Sequence, residues 1–324
     1  MANSVRADET FARKVLPTRE IGTHKWKVGG LVVVAGSPSL TGAAWLASRT
    51  AGRAGAGIVY LASGRGVISM LAGAMPEVAH ILIPETDAPG SARRAVERLE
   101  PYLEKSKAVV IGPGLGDDEL TDHFLGALFG FGHKLGNGGA RIGFGSSIAP
   151  DEPAKQPALF ANGNLRIALD ADALNWLAKQ DEWWTHVPAG RCLLTPHPGE
   201  MARLTGLETS EIVANPEGVA REYAAKWRQA VLLKAGYPVA SDGEHAVIAT
   251  DAPVSLATAG SGDVLSGMVG AFLAQGLAPL DAAGLALYAG SRAAREIEER
   301  FGPLGVIATD LPDAIGHQLA LLAR

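Results

Sequence analysis

The sequence predicts an α/β fold: a three-layer αβα arrangement around a mostly parallel central sheet. Short apolar runs, among them Leu31–Ala35, Ala108–Ile111, Cys192–Thr195 and Ala230–Lys234, alternate with longer segments of helical periodicity. The runs are apolar throughout rather than at every second residue, as in strands covered on both faces. Most of them stop at Gly, Ser, Asp, His or Lys, and in a parallel sheet those carboxyl ends share one rim, where ligands bind.

Residues 1–22 are polar and read as a loose N-terminal arm, leaving 23–324 as a single domain. Leu31–Ala35 is a strand that ends in Gly36-Ser37-Pro38, and the Ala-rich segment Thr41–Ala54 is a helix. Strands follow at Gly57–Ala62 and Val78–Ile83, then an amphipathic helix over Ser91–Leu103. The strand Ala108–Ile111 stops at Gly112-Pro113-Gly114-Leu115-Gly116. Residues 130–165 are rich in Gly, Pro and Asn without periodicity, and read as a long loop or surface insertion. Regularity returns with Arg166–Leu169, followed by Asp170-Ala-Asp172 and a helix through Lys179. Trp183-Trp184 reads as a surface or subunit contact. Cys192–Thr195 is a strand, and Pro196-His197-Pro198-Gly199-Glu200 opens the next helix. A helix over Glu217–Arg228 precedes the strand Ala230–Lys234. Pro238–Ser241 and His245–Ala249, joined through Asp242-Gly243, form a hairpin. Three helices close the chain, beginning near Asp263, Asp281 and Thr309.

Composition narrows the function. The 324 residues are 47% hydrophobic with 40 glycines, typical of a well-buried globular enzyme. A formal net charge of −5 supplies no basic field, which argues against nucleic-acid binding. A single cysteine, Cys192, excludes an intrachain disulfide framework and a cysteine-based zinc site, and its apolar neighbours make it core filler. The first twenty residues lack the apolar stretch of a signal peptide, and no run approaches the ~18–20 apolar residues of a membrane span. The expectation is a soluble cytoplasmic protein.

The chemistry centres on Ala257–Gly267. Gly260-Ser261-Gly262 runs into a helix whose apolar positions are Val264, Leu265, Met268, Val269, Phe272 and Leu273. A glycine turn at a helix start leaves amides unpaired and pointing one way, and with the dipole it forms an anion site suited to phosphate. Asp263 lies in the first turn. It is either a dipole-stabilising residue or, if a phosphate shares the site, a base facing a hydroxyl. The dipole lowers its pKa and an incoming phosphate raises it. Other strand-end residues carry paired readings too. The Gly112–Gly116 run lacks the spacing of a dinucleotide fingerprint, so it is either a tight turn or a close approach to a ligand. Asp170 could meet a ribose or a cation's water shell, whereas Asp172 could cap the helix it opens. His197 is stiffened by two prolines, Glu200 fits a helix-start acid, and Lys234 either snorkels to water or meets a nucleotide phosphate.

Together these motifs resemble the NAD(P)H-hydrate dehydratase family of the ribokinase-like fold. The matching pieces are His24-Lys25, Val34-Ala-Gly-Ser37 with Gly42-Ala43-Ala44, Ile111-Gly-Pro-Gly-Leu-Gly116, Asp170-Ala-Asp-Ala-Leu174, Thr195-Pro-His-Pro-Gly-Glu200, Leu233-Lys234 and Ala257–Gly267. The resemblance spans about residues 20 to 295 and implies repair of hydrated NADH or NADPH. ADP would be the co-substrate, with ATP as the alternative, and Mg2+ would assist. Asp263 would take the proton of the ring hydroxyl, with Gly260, Ser261 and Gly262 holding the phosphoryl group. By the same resemblance Gly42, Ala43, Gly114, Gly116, Asp170 and His197 would line the hydrated-nicotinamide site. Lys234, Ala235, Gly236, Tyr237, Pro238 and Gly262 would hold the adenine nucleotide. No metal ligand is assigned. This sequence departs from the family at Trp26 and Ala235, where glycines are usual, and over Thr250–Leu256, which replaces an Asn-rich run. The family also implies a homotetramer, and the short segment ahead of the match predicts no fused epimerase domain. Two other classes share these features: a vitamin-precursor or sugar kinase on the same fold, and a non-catalytic nucleotide sensor.

Overall fold

Val, Leu and Ile runs too apolar to leave either face wet assemble into one ten-stranded sheet in a computed structural model that describes residues 3–85, 90–131 and 157–324. The strands are β1 (Asn3–Ala7), β2 (Gly30–Val34), β3 (Ile58–Ser63), β4 (Ala79–Leu82), β5 (Ala108–Ile111), β6 (Arg166–Leu169), β7 (Cys192–Leu194), β8 (Ala230–Leu233), β9 (Val239–Ser241) and β10 (His245–Ala249). Their order is β1-β10-β9-β8-β7-β6-β5-β2-β3-β4, and every pairing is parallel except those that β9 makes with β8 and β10.

Successive side chains of a strand point to opposite faces, and each face here carries its own helical layer. Leu31 and Val33 face α1 (Glu9–Val15), α3 (Thr41–Arg53), α4 (Arg65–Leu71), α12 (Ser261–Ala274), α13 (Pro279–Phe301) and α14 (Leu311–Leu322). Val32 and Val34 face α5 (Ser91–Lys105), α6 (Glu119–Phe129), α7 (Ala158–Ala161), α8 (Ala171–Leu177), α9 (Pro198–Thr205), α10 (Thr209–Ala214) and α11 (Pro216–Trp227). The short helix α2 (Lys25–Val28) leads into β2 at the amino edge of the sheet.

The chain runs from β2 outward through β3 and β4, then returns to start β5 on the other side of β2. That reversal is the switch point where open α/β sheets bind ligands. Register brings the strand ends level: Val34 pairs with Ile111, Ile111 with Leu169, and Leu169 with Leu194. Gly36, Gly112, Asp170 and Thr195 therefore leave the sheet on one rim, and Lys234 N–H joins them by donating to the Pro196 carbonyl at 2.9 Å.

Four sequence expectations change. The N-terminal arm is not loose: β1 pairs along its full length with β10, α1 packs on the core through buried Ala12, and the Ser4 hydroxyl donates to Glu217 at 2.6 Å. Trp183 is no surface residue; it is 1% exposed and its ring lies 5.3 Å from that of Trp227. Helices α4, α6 and α10 occupy stretches that had no assigned element. Of the 130–165 insertion, residues 132–156 lie outside the described residues, while its end forms α7, with Leu159, Phe160 and Leu165 in the core. The departure at Trp26 falls on α2, where the indole stacks on Tyr60 at the edge opposite the rim.

Candidate active site

The turn before α12 can only be built by glycine. Gly260 has φ +91°, and a β-carbon there would stand 2.9 Å from Ala308 Cβ while colliding with Leu46. The Ser261 hydroxyl donates to the Leu256 carbonyl at 2.7 Å, and its N–H turns back to Thr258 at 3.3 Å. The amides of Ala259, Gly260, Gly262 and Asp263 have no partner among the described residues. Unpaired N–H groups at the positive end of a fourteen-residue helix form a cradle that can take an anion.

Beside the cradle stands a charged cluster drawn from three strand ends. The Lys234 ammonium donates to Asp170 Oδ1 at 2.9 Å and lies 4.0 Å from Glu200 Oε2. Ser266, on the second turn of α12, donates to Asp170 Oδ2 at 2.6 Å. A β-carbon on Gly262 would be 3.7 Å from Lys234 Nζ and 3.9 Å from Asp170 Oδ2, so the pair lies alongside the cradle. His197 caps α9: its Nδ1 accepts from the amides of Gly199 and Glu200 at 3.0 and 3.3 Å, while Glu200 Oε2 accepts from His197 N–H at 2.8 Å. With Nδ1 an acceptor, the ring proton of the neutral imidazole sits on Nε2, and half of the side chain is exposed.

Burial and crowding set the protonation states. Burial raises the Asp263 carboxyl to about 6, Asp170 and Asp172 add to the rise, and Lys234 opposes it. Burial also works to raise Asp170, but the Lys234 ammonium and the Ser266 hydrogen bond outweigh it and hold that carboxyl below its ordinary range. Lys234 is raised despite burial, because Asp170 and Glu200 hold its proton. Burial lowers His197, helped by the cations Lys234 and Arg203. The rise at Asp263 thus comes from burial and from carboxylates distant in the chain, influences that neither the helix start nor an incoming phosphate announces.

The remaining expected residues divide. Gly42 and Ala43 lie in the first turn of α3, and a β-carbon on Gly114 (φ +63°) would come within 2.8 Å of Ala43 Cβ. The two glycine-rich turns thus face each other across the switch point. Gly116 N–H donates to Asp172 Oδ2 at 2.8 Å, so Asp172 ties that turn to α8 rather than capping the helix. Asp170 is 3% exposed, with the Lys234 ammonium on one oxygen and the Ser266 hydroxyl on the other. Gly236, Pro238 and Gly262 line a cavity of about 380 Å3 with Leu256, Met268 and Leu287. Ala235 points into the core at 2% exposure, leaving only its backbone for a nucleotide, and Tyr237 is 59% exposed and off the cavity wall. The divergent Thr250–Leu256 run supplies part of that wall, held by a two-bond clamp from Arg295 to Asp251 at 2.7 and 2.8 Å. Sequence reasoning passed over Ser266 and Arg295, whose partners are distant in the chain.

A profile of the family described as NAD(P)H-hydrate dehydratase matches residues 31–131 and 150–317. A bifunctional NAD(P)H-hydrate repair enzyme of Moorella thermoacetica is 36% identical over 312 residues, 95% of this chain and 52% of that protein. The chain spans about half the length of the bifunctional relatives it matches. An ADP-dependent (S)-NAD(P)H-hydrate dehydratase of Xanthomonas campestris is 29% identical over 323 residues, covering 99% of this chain and 98% of that one. Among solved structures, a ribokinase-like superfamily protein of Enterococcus faecalis has a TM-score of 0.77 at 18% identity, over 99% of this chain and 96% of that one. An ADP/ATP-dependent NAD(P)H-hydrate dehydratase of Bacillus subtilis, co-crystallised with ATP/Mg2+, has 0.76 at 24% identity over 99% of both. The fold is therefore ribokinase-like, and a family profile that runs from β2 into α14 settles the rest: this chain belongs to the NAD(P)H-hydrate dehydratase family.

Proposed function

We propose that the protein dehydrates the S-epimer of hydrated NADH or NADPH at the expense of ADP, giving NAD(P)H, AMP and phosphate. The observation that carries the reading is a half-buried carboxyl, Asp263, raised to about 6 and set beside unpaired amides at a helix start. The full-length likeness to the Xanthomonas protein named ADP-dependent supports the choice of nucleotide. ATP with Mg2+, present in the Bacillus crystal, is the alternative.

Hydroxide is a poor leaving group and phosphate a good one. Asp263 takes the proton of the C6 hydroxyl as its oxygen attacks the terminal phosphorus of ADP, and AMP departs. Unpaired amides and the Lys234 ammonium stabilise the charge on the transferring group. The ring-nitrogen lone pair then expels phosphate with the C6–O bond. Loss of the C5 proton to that phosphate restores the ring double bond. Adenine and ribose occupy the apolar cavity bounded by Gly236, Pro238 and Leu256. Gly42, Ala43, Gly114, Gly116 and His197 take the hydrated nicotinamide, with His197 Nε2–H as a donor. Among the described residues no three His, Cys, Asp or Glu side chains gather as a cation site. Mg2+, which favours phosphate oxygens and water, would enter with the nucleotide. No helix among the described residues is long and apolar enough to cross a membrane. The reading extends to a cytoplasmic homotetramer, as the family resemblance implies.

Incubation with hydrated NADH and ADP tests this. Dihydronicotinamide absorbance should return with AMP and phosphate released in equal amounts, and Asp263→Asn should slow turnover by about 10²–10⁴-fold. Absorbance that stays flat with both ADP and ATP, or a phosphorylated small molecule as product, refutes it.

A further inference from the structure

A buried, charged lysine–aspartate pair is no more stabilising than well-packed apolar residues of similar size, so its presence beside the cradle calls for a role other than packing. Asp170 ends β6, Lys234 ends β8, and Ser266 lies three residues beyond Asp263 on α12. Both oxygens of Asp170 are engaged, one by the Lys234 ammonium at 2.9 Å and the other by the Ser266 hydroxyl at 2.6 Å. We propose that Asp170 is the positioning residue of the site: by gripping Lys234 and Ser266 together, it fixes the ammonium against the Gly260–Gly262 cradle and keeps it from pairing with Asp263.

This deepens the dehydratase reading and rests on it only where turnover is measured. Lys234 has three carboxylates within its field, Asp170, Glu200 and Asp263. Were it released by Asp170, it would move toward the two remaining carboxylates, Glu200, 4.0 Å away and already accepting from His197 N–H, and Asp263; a base drawn into an ion pair is a weak base. The charged groups acting on Asp263 are Asp170 from β6, Asp172 from α8 and Lys234 from β8. The turn ahead of Asp263 meets Leu46 from α3 and Ala308 from the segment before α14, neither of which titrates. Removing the Asp170 charge therefore lowers the Asp263 pKa twice over, by loss of a like charge and by gain of the ammonium.

Carboxyl ¹³C NMR of the substrate-free protein, with Asp263→Asn identifying the signal, measures this directly. In Asp170→Asn the Asp263 titration should fall by about one pH unit or more. In Ser266→Ala, where Asp170 keeps Lys234 but loses the hydroxyl on its other oxygen, it should move the same way by less. The acid limb of kcat/KM should follow in both, and KM for ADP should rise roughly 10-fold in Asp170→Asn. An Asp263 titration unmoved in folded Asp170→Asn overturns the proposal, because a merely structural aspartate would lower activity equally at every pH. If Asp170→Asn does not fold, an unmoved titration in Ser266→Ala overturns it. Full turnover by Asp263→Asn would instead defeat the dehydratase mechanism while leaving the NMR comparison decisive for Asp170.

Discussion

Replacing Asp263 by Asn should make the protein more stable while removing its activity. Its carboxyl is raised from the ordinary 3.8 to about 6, with burial as the chief cause. At ~1.36 kcal/mol per pH unit, ionising it in the folded state costs about 3 kcal/mol relative to the unfolded chain. A folded pKa above the unfolded one means that the favourable contribution of the protonated form is complete below pH 3.8 and is lost as pH rises through about 6. Asn, neutral at every pH, escapes that loss. Some of the gain disappears because the amide must find hydrogen-bond partners and Lys234 loses an attractive neighbour, so we expect ~1–3 kcal/mol at neutral pH. Urea unfolding of both proteins at pH 7.5 and pH 4 measures it. The variant should have the higher midpoint at pH 7.5, with the difference shrinking toward zero at pH 4. A gain that is the same at both pH values, or a loss at pH 7.5, would show that ionised Asp263 is not strained and that the case for a raised base is wrong.

Gly267→Val places a branched side chain where a β-carbon would meet the Ala47 carbonyl and stand 3.0 Å from Thr50 Cβ; overpacking between α12 and α3 should lower stability by about 1–3 kcal/mol in urea unfolding. His197→Ala removes the side-chain cap of α9, costing about 1 kcal/mol, and should raise KM for the hydrated substrate well above any change for ADP; equal losses for both would contradict its place on the nicotinamide side. Arg295→Ala frees Asp251 and with it one wall of the cavity, so KM for ADP should rise several-fold in steady-state assays while the thermal midpoint barely moves.

The rim was legible because its signals are local. Glycine turns after Val34 and Ile111, a proline-flanked histidine and a Gly-Ser-Gly helix start can each be read from a few consecutive residues, and the aligned register of β2, β5, β6 and β7 brings the strand ends together. What could not be read were pairings across long separations. Ser266 looks like an ordinary small helix residue until Asp170, 96 positions earlier, is seen to accept its hydroxyl. The arm's NSVRA sequence is too polar to announce a strand, and it becomes one only because β10 offers an edge. Adjacent tryptophans look alike in sequence, yet Trp183 goes into the core while Trp184 takes a cation–π contact from Lys226. Helix α6 did carry a signal, the Asp118 cap on Thr121 N–H and apolar Phe124, Leu125, Leu128 and Phe129, hidden behind the glycine turn it follows.

Packing and chemistry meet in α12. Its small residues let it lie closely on α3: a β-carbon at Gly267 would already crowd Thr50. That closeness sinks the first turn of the helix partway into the protein, where Asp263 loses part of its water and its carboxyl is raised. An exposed aspartate at the same helix start would be fully ionised at neutral pH but with little appetite for a proton. Burial makes it a stronger base at the expense of stability, and the nearby Lys234 would cancel the effect if it paired with Asp263. The ammonium is instead held by Asp170, which is enclosed by the protein and keeps its own charge through Lys234 and Ser266. Asp170 and Asp263, two of the three carboxylates that act on this lysine, are thereby driven apart, one low and one high, and that division lets a phosphate-binding helix start also carry a proton acceptor.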